Sequence, residues 1–338
     1  MRGRAERSRL RQRNRRVRRG RSSGTPMTDA TGAAFVETKE YRRFREFCDA
    51  CRRHRYIGLC YGPPGVGKTF SARRYTDWDR VESADPYACR GVFGPGEVPG
   101  NGGVFYTAKV VNSPGQIEGE IAALRGRMRE LARQVIRGEE GPRIAAAQRK
   151  LVEEQDAHLS EGDWFAEEAP RLRLAEEALS EAVLRRAERG RAAVEPTDLI
   201  LIDEADRIKT AGLEQVRDIF DRGGVGVVLL GMPGLERRLA RYAQLYSRVG
   251  FVHEFRPLDA AEFRSVLGGW RPAGVGLPED LLADAEGVAA LIRVTGGNFR
   301  LLDRLLAQVG RILEINGLGV VTRRAVEAAR EVLVIGAA

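Results

Sequence analysis

Eight residues, Gly62-Pro63-Pro64-Gly65-Val66-Gly67-Lys68-Thr69, constrain this chain more than any other stretch. They follow a short apolar run, Tyr56 to Tyr61, and lead into residues 67–76, whose composition suits a helix. A glycine-rich turn between strand and helix that ends in Lys-Thr fits the spacing of a phosphate-binding loop. Its glycines let backbone N–H groups close on phosphate oxygens with no Cβ in the way. The start of the helix adds a partial positive charge. Residues Gly62, Pro63, Pro64, Gly65, Val66, Gly67, Lys68, Thr69 and Phe70 are therefore expected to cradle the phosphates of ATP. Lys68 is expected to reach the β/γ oxygens, and the Thr69 hydroxyl to ligate Mg²⁺.

A second stretch completes that expectation. In Asp198-Leu199-Ile200-Leu201-Ile202-Asp203-Glu204-Ala205-Asp206, four apolar residues make a central strand with carboxylates at its C-terminal end. Ligands of open α/β sheets collect at that end. Asp203 is expected in the Mg²⁺ shell, and Glu204, beside it but off the metal, is expected to polarise the attacking water. Asp206 and Arg207 could start a helix or meet a neighbouring subunit, and no chemistry is assigned to them.

The rest of the chain supplies the frame. Val104 to Val111, Leu199 to Ile202, Val225 to Leu230 and Val249 to Phe255 read as strands, with helices predicted over 37–54, 211–221 and 233–246. Alternating strands and helices imply a parallel sheet with crossover connections. Residues 80–102, rich in Gly and Pro, read as loop. From Gln116 to Arg191 the Ala, Leu, Arg and Glu content predicts two or three helices, with breaks at Gly138, Gly141-Pro142 and Gly162. This insertion is either a partner-binding arm or a solvated hairpin without catalysis. From Asp259 the pattern is wholly helical, over 259–269, 278–294, 298–316 and 322–333. The expected fold is α/β, a parallel sheet with flanking helices and a helical insertion at about 116–191. Its nucleotide domain spans 34–257 and a small C-terminal helical lid 258–338, behind a basic disordered tail at 1–33.

Charge is concentrated in that tail. Residues 1–26 hold eleven Arg against one acid, Glu6, a net of +10, so the remainder carries −1 of the total +9. Such a block suits phosphate backbones, or it lies upstream of a natural start at Met27; DNA binding does not rest on it. No run of about 18 apolar residues predicts a transmembrane helix, and no apolar stretch follows the basic start as a signal peptide requires. Cys48 and Cys51 form a C-x-x-C with His54 nearby, but a second ligand pair for zinc is not visible. With Phe44 and Phe47 they read instead as the apolar stripe of one helix. A cytoplasmic protein without membrane partners is the simplest expectation.

The glycine loop, the Asp-Glu box and the helical lid together resemble AAA+ ATPases. Three stretches are similar to the ATP-binding regulators of DNA transposition, of the TniB, TnsC and MuB kind: YRRFREFCDACRRHRYIGLCYGPPGVGKT, LILIDEADRIKTAGLEQVRDIFDRGGVGVVLLGMPGLERRL with ARYAQLYSRVGFVHEF after it, and TGGNFRLLDRLL. The likeness spans about 37–77 and 197–310 and leaves 80–190 poorly covered. It implies a homo-oligomer, a ring or a helical filament, with ATP between subunits. Such an assembly would sit on double-stranded DNA without reading its sequence and recruit or activate a transposase.

Arg248 occupies the position of a neighbour's arginine finger, with Arg241 in reserve; otherwise Arg248 is a surface salt-bridge residue. Arg300 matches a lid arginine that contacts the γ-phosphate from the same subunit. Asn298 beside it reads as a helix N-cap, and both roles are compatible. The resemblance departs at Gly231-Met232-Pro233, where many AAA+ proteins carry Asn, Thr or Ser to orient the water. Met232 makes no useful hydrogen bond of that kind, so a neighbour substitutes or hydrolysis is slow. Lys109, Arg125 and Arg127, near the second strand and the helix after it, are the expected inward, DNA-facing cations.

Overall fold

A computed structural model describes residues 35–87, 92–160, 170–192, 196–269 and 284–333. The basic tail, Cys89, the break expected at Gly162 and most of the first turns expected from residue 278 lie outside them. Five parallel strands form one sheet in the order β2-β3-β4-β1-β5. They are β1 Ile57–Tyr61, β2 Gly103–Thr107, β3 Leu199–Asp203, β4 Gly226–Gly231 and β5 Val249–Glu254. The α/β reading of the sequence holds.

The central strands are apolar without alternation because both faces of the sheet are covered. On β3, Leu199 and Leu201 enter one core with Phe44, Phe47, Cys48 and Cys51 of helix α1 (Lys39–His54). Ile200 and Ile202 enter the core on the other face, with Leu213, Val216 and Ile219 of α6 (Thr210–Gly223). Burying each such side chain contributes about 1.5–3 kcal/mol. Edge strand β5 is half-buried at every second residue and exposed between, the alternation the inner strands lack. β1 and α1 approach so closely that a Cβ on Gly58 would lie 2.4 Å from the Cys51 sulfur.

The cysteine pair is accordingly core. Burial pushes the Cys51 thiol up to about 12 and raises Cys48 well above its usual range. Among the described residues, no cluster of three His, Cys, Asp or Glu could hold a metal ion.

Helices α2 (Lys68–Tyr75) and α3 (Trp78–Ser83) follow β1. The stretch 80–102 is thus not all loop: α3 runs into it because Trp78 and Val81 are buried, and a 3-10 turn occupies Pro99–Gly102. The second strand stops at Thr107, four residues short of the expected Val111, as Val110 and Val111 are exposed.

Among the described residues the insertion is two helices, within the two or three expected, but the breaks expected at Gly138 and Gly141-Pro142 are absent. One 47-residue helix, α4 (Pro114–Ser160), runs unbroken through Gly138, Gly141 and Pro142 and returns as α5 (Pro170–Ala192). An internal proline costs a helix about 3 kcal/mol. Here the same turn is held from the side: the Glu140 side chain is buried and ion-paired to Arg143, Arg185 and Arg189, two of which come from α5. The first turns of α4 bury Ile117 and Ile121 in one core, and later ones bury Met128, Leu131 and Val135 in the other. α4 thus spans both cores beside β2. No helix among the described residues is long and apolar enough to cross a membrane.

The stretch expected as one helix over 233–246 is two short ones, α7 (Leu235–Leu239) and α8 (Ala243–Tyr246). After β5 come α9 (Ala260–Gly269), α10 (Ala285–Thr295), α11 (Phe299–Asn316) and α12 (Arg323–Glu331). They share a third core built on Phe263, Leu291, Leu302, Leu306 and Val326.

Candidate functional site

Sheet order decides where the two motifs meet. The glycine loop leaves β1 and the acidic turn leaves β3, with only β4 between them. Backbone demands fix the loop: Gly65 and Gly67 have φ of +81° and +104°, a region that favours glycine. A Cβ at Gly62 would lie 2.2 Å from the Phe255 carbonyl oxygen. Lys68, 9% exposed, donates from Nζ to the carbonyls of Gly62 at 2.6 Å and Pro63 at 2.8 Å. Burial lowers its pKa, opposed by the nearby charges of Asp203, Asp206 and Glu204.

The Thr69 hydroxyl donates to Asp203 Oδ2 at 2.7 Å across 134 positions of sequence. Asp203 is 4% exposed, and its Oδ1 accepts from the Glu204 N–H at 2.9 Å. Magnesium takes oxygen ligands at about 2.0–2.1 Å in an octahedron, so neighbouring ligands sit about 3 Å apart. A hydroxyl and a carboxylate oxygen already 2.7 Å apart fit two adjacent positions with little movement. Phosphate oxygens and waters would complete the shell.

Glu204 has φ of +55°, a left-handed backbone costing a non-glycine residue on the order of 1–2 kcal/mol. Strain of this kind clusters where a side chain must be aimed. Its carboxylate lies 3.5 Å from Arg207, whose guanidinium also donates to the Ala108 carbonyl at 3.1 Å and so ties the acidic turn to the end of β2.

A cavity of about 250 Å³ joins Lys68, Thr69, Asp203, Glu204, Met232 and Arg300. Asp206, to which the sequence assigned nothing, also lines it, and its Oδ2 accepts from the Met232 N–H at 2.9 Å. Its carboxylate lies where a Cβ on Gly231 would be, 2.7 Å from that position. The signal was the second Asp of Asp-Glu-Ala-Asp, but its partner comes from β4 and no local pattern marks it.

The C-terminal helices reach this cavity through α11. Asn298 caps that helix, accepting from Leu301 N–H at 3.1 Å, and donates through Nδ2 to the Pro64 carbonyl at 2.7 Å. Arg300 follows, with its backbone N–H 3.4 Å from the Gly65 carbonyl.

A second cavity of about 240 Å³ shares Gly67, Phe70, Phe299 and Arg300 with the first. Its walls are mostly apolar, from Phe35, Tyr41, Val66, Phe255 and Leu258. Sequence reasoning missed it, because those residues come from four separate parts of the chain. An apolar slot opening into a phosphate site is the shape a purine base requires.

Arg248 is not part of this assembly. Its guanidinium grips Asp221 at 2.6 and 2.8 Å, and its carbonyl accepts from the N–H of Ile57 at the start of β1. The glycine loop leaves the opposite end of that strand, about 16 Å away at 3.3 Å per residue. Arg241 is exposed on the connection between α7 and α8. The three expected DNA-facing cations are also dispersed. Arg127 donates to the carbonyls of Val81, Glu82 and Ala84 and so holds α3 to α4; its inward-facing assignment is corrected. Lys109 is exposed and pairs with Glu120, and Arg125 is half-buried.

Comparison with known proteins matches residues 51–239 to the AAA domain. A "Potential ATP-binding protein" of Staphylococcus aureus is 35% identical over 309 residues, covering 89% of this chain and 97% of that protein. The "Mu-like prophage FluMu DNA transposition protein B" of Haemophilus influenzae is 30% identical over 116 residues, 32% of this chain and 38% of that one. Among solved structures, the Thermotoga maritima RuvB Holliday junction branch migration motor aligns with 91% of this chain and 72% of its own. The identity is 14% and the TM-score 0.48.

Proposed function

The chain belongs to the AAA domain family of ATP-binding P-loop NTPases, and on that premise we propose that it hydrolyses Mg²⁺-bound ATP. In this reading it assembles in its ATP state on double-stranded DNA and recruits or activates a transposase. The observation that carries the hydrolytic part is the Thr69–Asp203 contact at 2.7 Å inside a cavity that Glu204 and Lys68 also line.

Thr69 and Asp203 would hold Mg²⁺, which neutralises charge on the β- and γ-phosphate oxygens when bound. Lys68 exchanges its two carbonyl partners for phosphate oxygens. The backbone N–H groups of the glycine turn hold the triphosphate in line. Glu204 orients a water against the γ-phosphorus and takes its proton as the new P–O bond forms and the bond to ADP breaks. Arg300, at the start of the lid helix, meets the γ-phosphate and couples its presence to lid position. Arg248, at the far end of β1 from its own chain's glycine loop, serves the site of a neighbouring copy. That division of labour makes a homo-oligomer, ring or filament, the active form.

The DNA part rests on the 30% identity to a protein named for DNA transposition. Binding would run through backbone phosphates, so it would be indifferent to sequence and weaken steeply with salt. The test is anisotropy of a labelled random-sequence duplex, with and without a non-hydrolysable ATP analogue, at low and physiological salt. Analogue-dependent, salt-sensitive binding is expected. An ATPase that turns over yet never binds the duplex would sink the transposition role and leave a related ATPase without a DNA partner.

A further inference from the structure

The tip of β4 stands between the two halves of the phosphate site, because β4 separates β1, which carries the glycine loop, from β3, which leads to Glu204. A γ-phosphate held by the loop and a water held by Glu204 must meet across that tip. The backbone there brings no useful polar side chain of its own: Gly231 has none, and the Met232 thioether is a poor partner for water. Asp206 fills the place from the neighbouring turn. Its Oδ2 accepts from the Met232 N–H at 2.9 Å. A Cβ on Gly231 would lie 2.7 Å from Oδ2 and 2.9 Å from Oδ1, so both oxygens rest against the end of β4.

The residue is fixed from behind as well. It belongs to the 3-10 turn Ala205–Arg207, and Arg238 of α7 donates to the Asp206 carbonyl at 2.7 Å. Among the described residues, the Met232 N–H makes the one hydrogen bond to its side chain. An ionised carboxylate offers about four acceptor positions, so Asp206 keeps acceptor capacity on the cavity that Lys68, Thr69 and Glu204 also line. An anion in that place repels a phosphate and accepts from a water. A water that donates one O–H to Glu204 and the other to Asp206 has its lone pairs left for the γ-phosphorus. We infer that Asp206 is a positioning residue for hydrolysis, holding the second O–H of the water whose first O–H Glu204 takes. As the new P–O bond forms, one proton passes to Glu204, the bond to ADP breaks, and the hydrogen facing Asp206 leaves with the phosphate. The inference rests on the hydrolytic reading above and adds the group that aims the water.

Asp206→Asn separates aiming from anchoring. Its amide oxygen still accepts from the Met232 N–H, which leaves an NH₂ where an acceptor was. Asp206→Ala removes both. Turnover at saturating ATP and Mg²⁺, and displacement of a fluorescent ATP analogue by ATP, are measured on the full-length chain and both variants. Both variants should lose about ten- to a hundredfold in kcat, the size of one hydrogen bond to a charged group, with ATP affinity held within about threefold. Complexes of ADP with metal fluorides read the water without turnover. Beryllium fluoride stands in for the bound γ-phosphate, and aluminium fluoride for the phosphorus with its water in line. Asp206→Asn should weaken the aluminium fluoride complex by about tenfold or more and leave the beryllium fluoride complex within about threefold.

Near-normal kcat in Asp206→Asn overturns the inference whatever Asp206→Ala does, and leaves Asp206 as an anchor for the tip of β4. An equal loss in both fluoride complexes overturns it too, since the carboxylate would then serve phosphate binding. A kcat restored by raising Mg²⁺ assigns the residue to the metal and overturns it likewise. An unchanged protein that binds ATP but never turns it over, with or without DNA, instead defeats the hydrolytic reading beneath, and one that binds no ATP defeats the nucleotide reading.

Discussion

Asp203→Asn keeps the side chain's shape and removes its charge. The carboxylate is 4% exposed and accepts two hydrogen bonds, from the Thr69 hydroxyl at 2.7 Å and the Glu204 N–H at 2.9 Å. The amide has one acceptor oxygen for two donors, but the Thr69 hydroxyl can turn and accept from the new NH₂. The unliganded protein therefore exchanges a charge-assisted bond for a neutral one, a cost of about 1 kcal/mol. In a chain of 338 residues that corresponds to a fall of about 1–2 °C in Tm.

The effect on metal is larger, because an anionic oxygen leaves the place where Mg²⁺ would sit. A contact of that type is worth about 1.5–3 kcal/mol, or about 10- to 150-fold in affinity. Titration of a fluorescent ATP analogue in excess Mg²⁺ and in EDTA separates the two contributions. The unchanged protein should bind far more tightly with Mg²⁺. In the variant the two constants should converge within about threefold, at the value the unchanged protein shows in EDTA. A variant that keeps the full Mg²⁺ enhancement refutes Asp203 as a metal holder. An equal loss in both conditions refutes it too, by showing that Asp203 shapes the loop instead.

Other perturbations separate the remaining parts. Glu204→Gln should leave ATP affinity within about threefold while turnover falls by about 10²–10⁴; single-turnover kinetics with radiolabelled ATP measures both, and near-normal turnover removes Glu204 as the base. Arg248→Ala should cost little stability, since its pair with Asp221 is a surface one, yet should lower turnover about 10³-fold or more as an arginine supplied to a neighbour. Mixing it with Glu204→Gln subunits should restore activity that neither has alone, and mixtures as inactive as their components would dismiss the shared site. Gly58→Ala sets a methyl 2.4 Å from the Cys51 sulfur and 2.6 Å from the Phe47 ring; the overpacking should cost about 1–3 kcal/mol in urea unfolding, and an unchanged midpoint would show that α1 can lift from β1 freely.

The legible parts of the fold were those set by local composition. Leu199-Ile200-Leu201-Ile202 and Val227-Val228-Leu229-Leu230 announce inner parallel strands because nothing polar can sit between two covered faces. Asn298 marks a helix start because its side chain accepts a bond from the first turn of the helix that follows. What stayed hidden depended on partners distant in sequence. Pro142 reads as a break, and only the buried ion pairs between α4 and α5 hold the helix through it. Arg127 looks like a free surface cation until its three carbonyl partners across α3 are seen. The apolar cavity draws Phe35, Phe70, Phe255 and Phe299 from separate parts of the chain, and no spacing rule joins them. The meeting of Thr69 and Asp203 was the opposite case: Thr69 opens the helix after the glycine turn, Asp203 ends β3, and the sheet order brings them into contact.

The unbroken α4 gives the molecule a lever. At 1.5 Å per residue its 47 residues measure about 70 Å, and its root is wedged against the acidic turn. A Cβ on Gly212 would lie 2.8 Å from Ile117 Cδ1, and Asn112, two residues before the helix, donates to the Arg207 carbonyl at 3.3 Å. The first part of the helix is held in both cores as far as Val135, so the part that can swing is residues 136–160, about 37 Å long, and a tilt of about 5° there moves the tip about 3 Å. The rest of the helix, with α5 returning beside it, stands beyond the sheet as a hairpin whose position is set where it leaves the two cores.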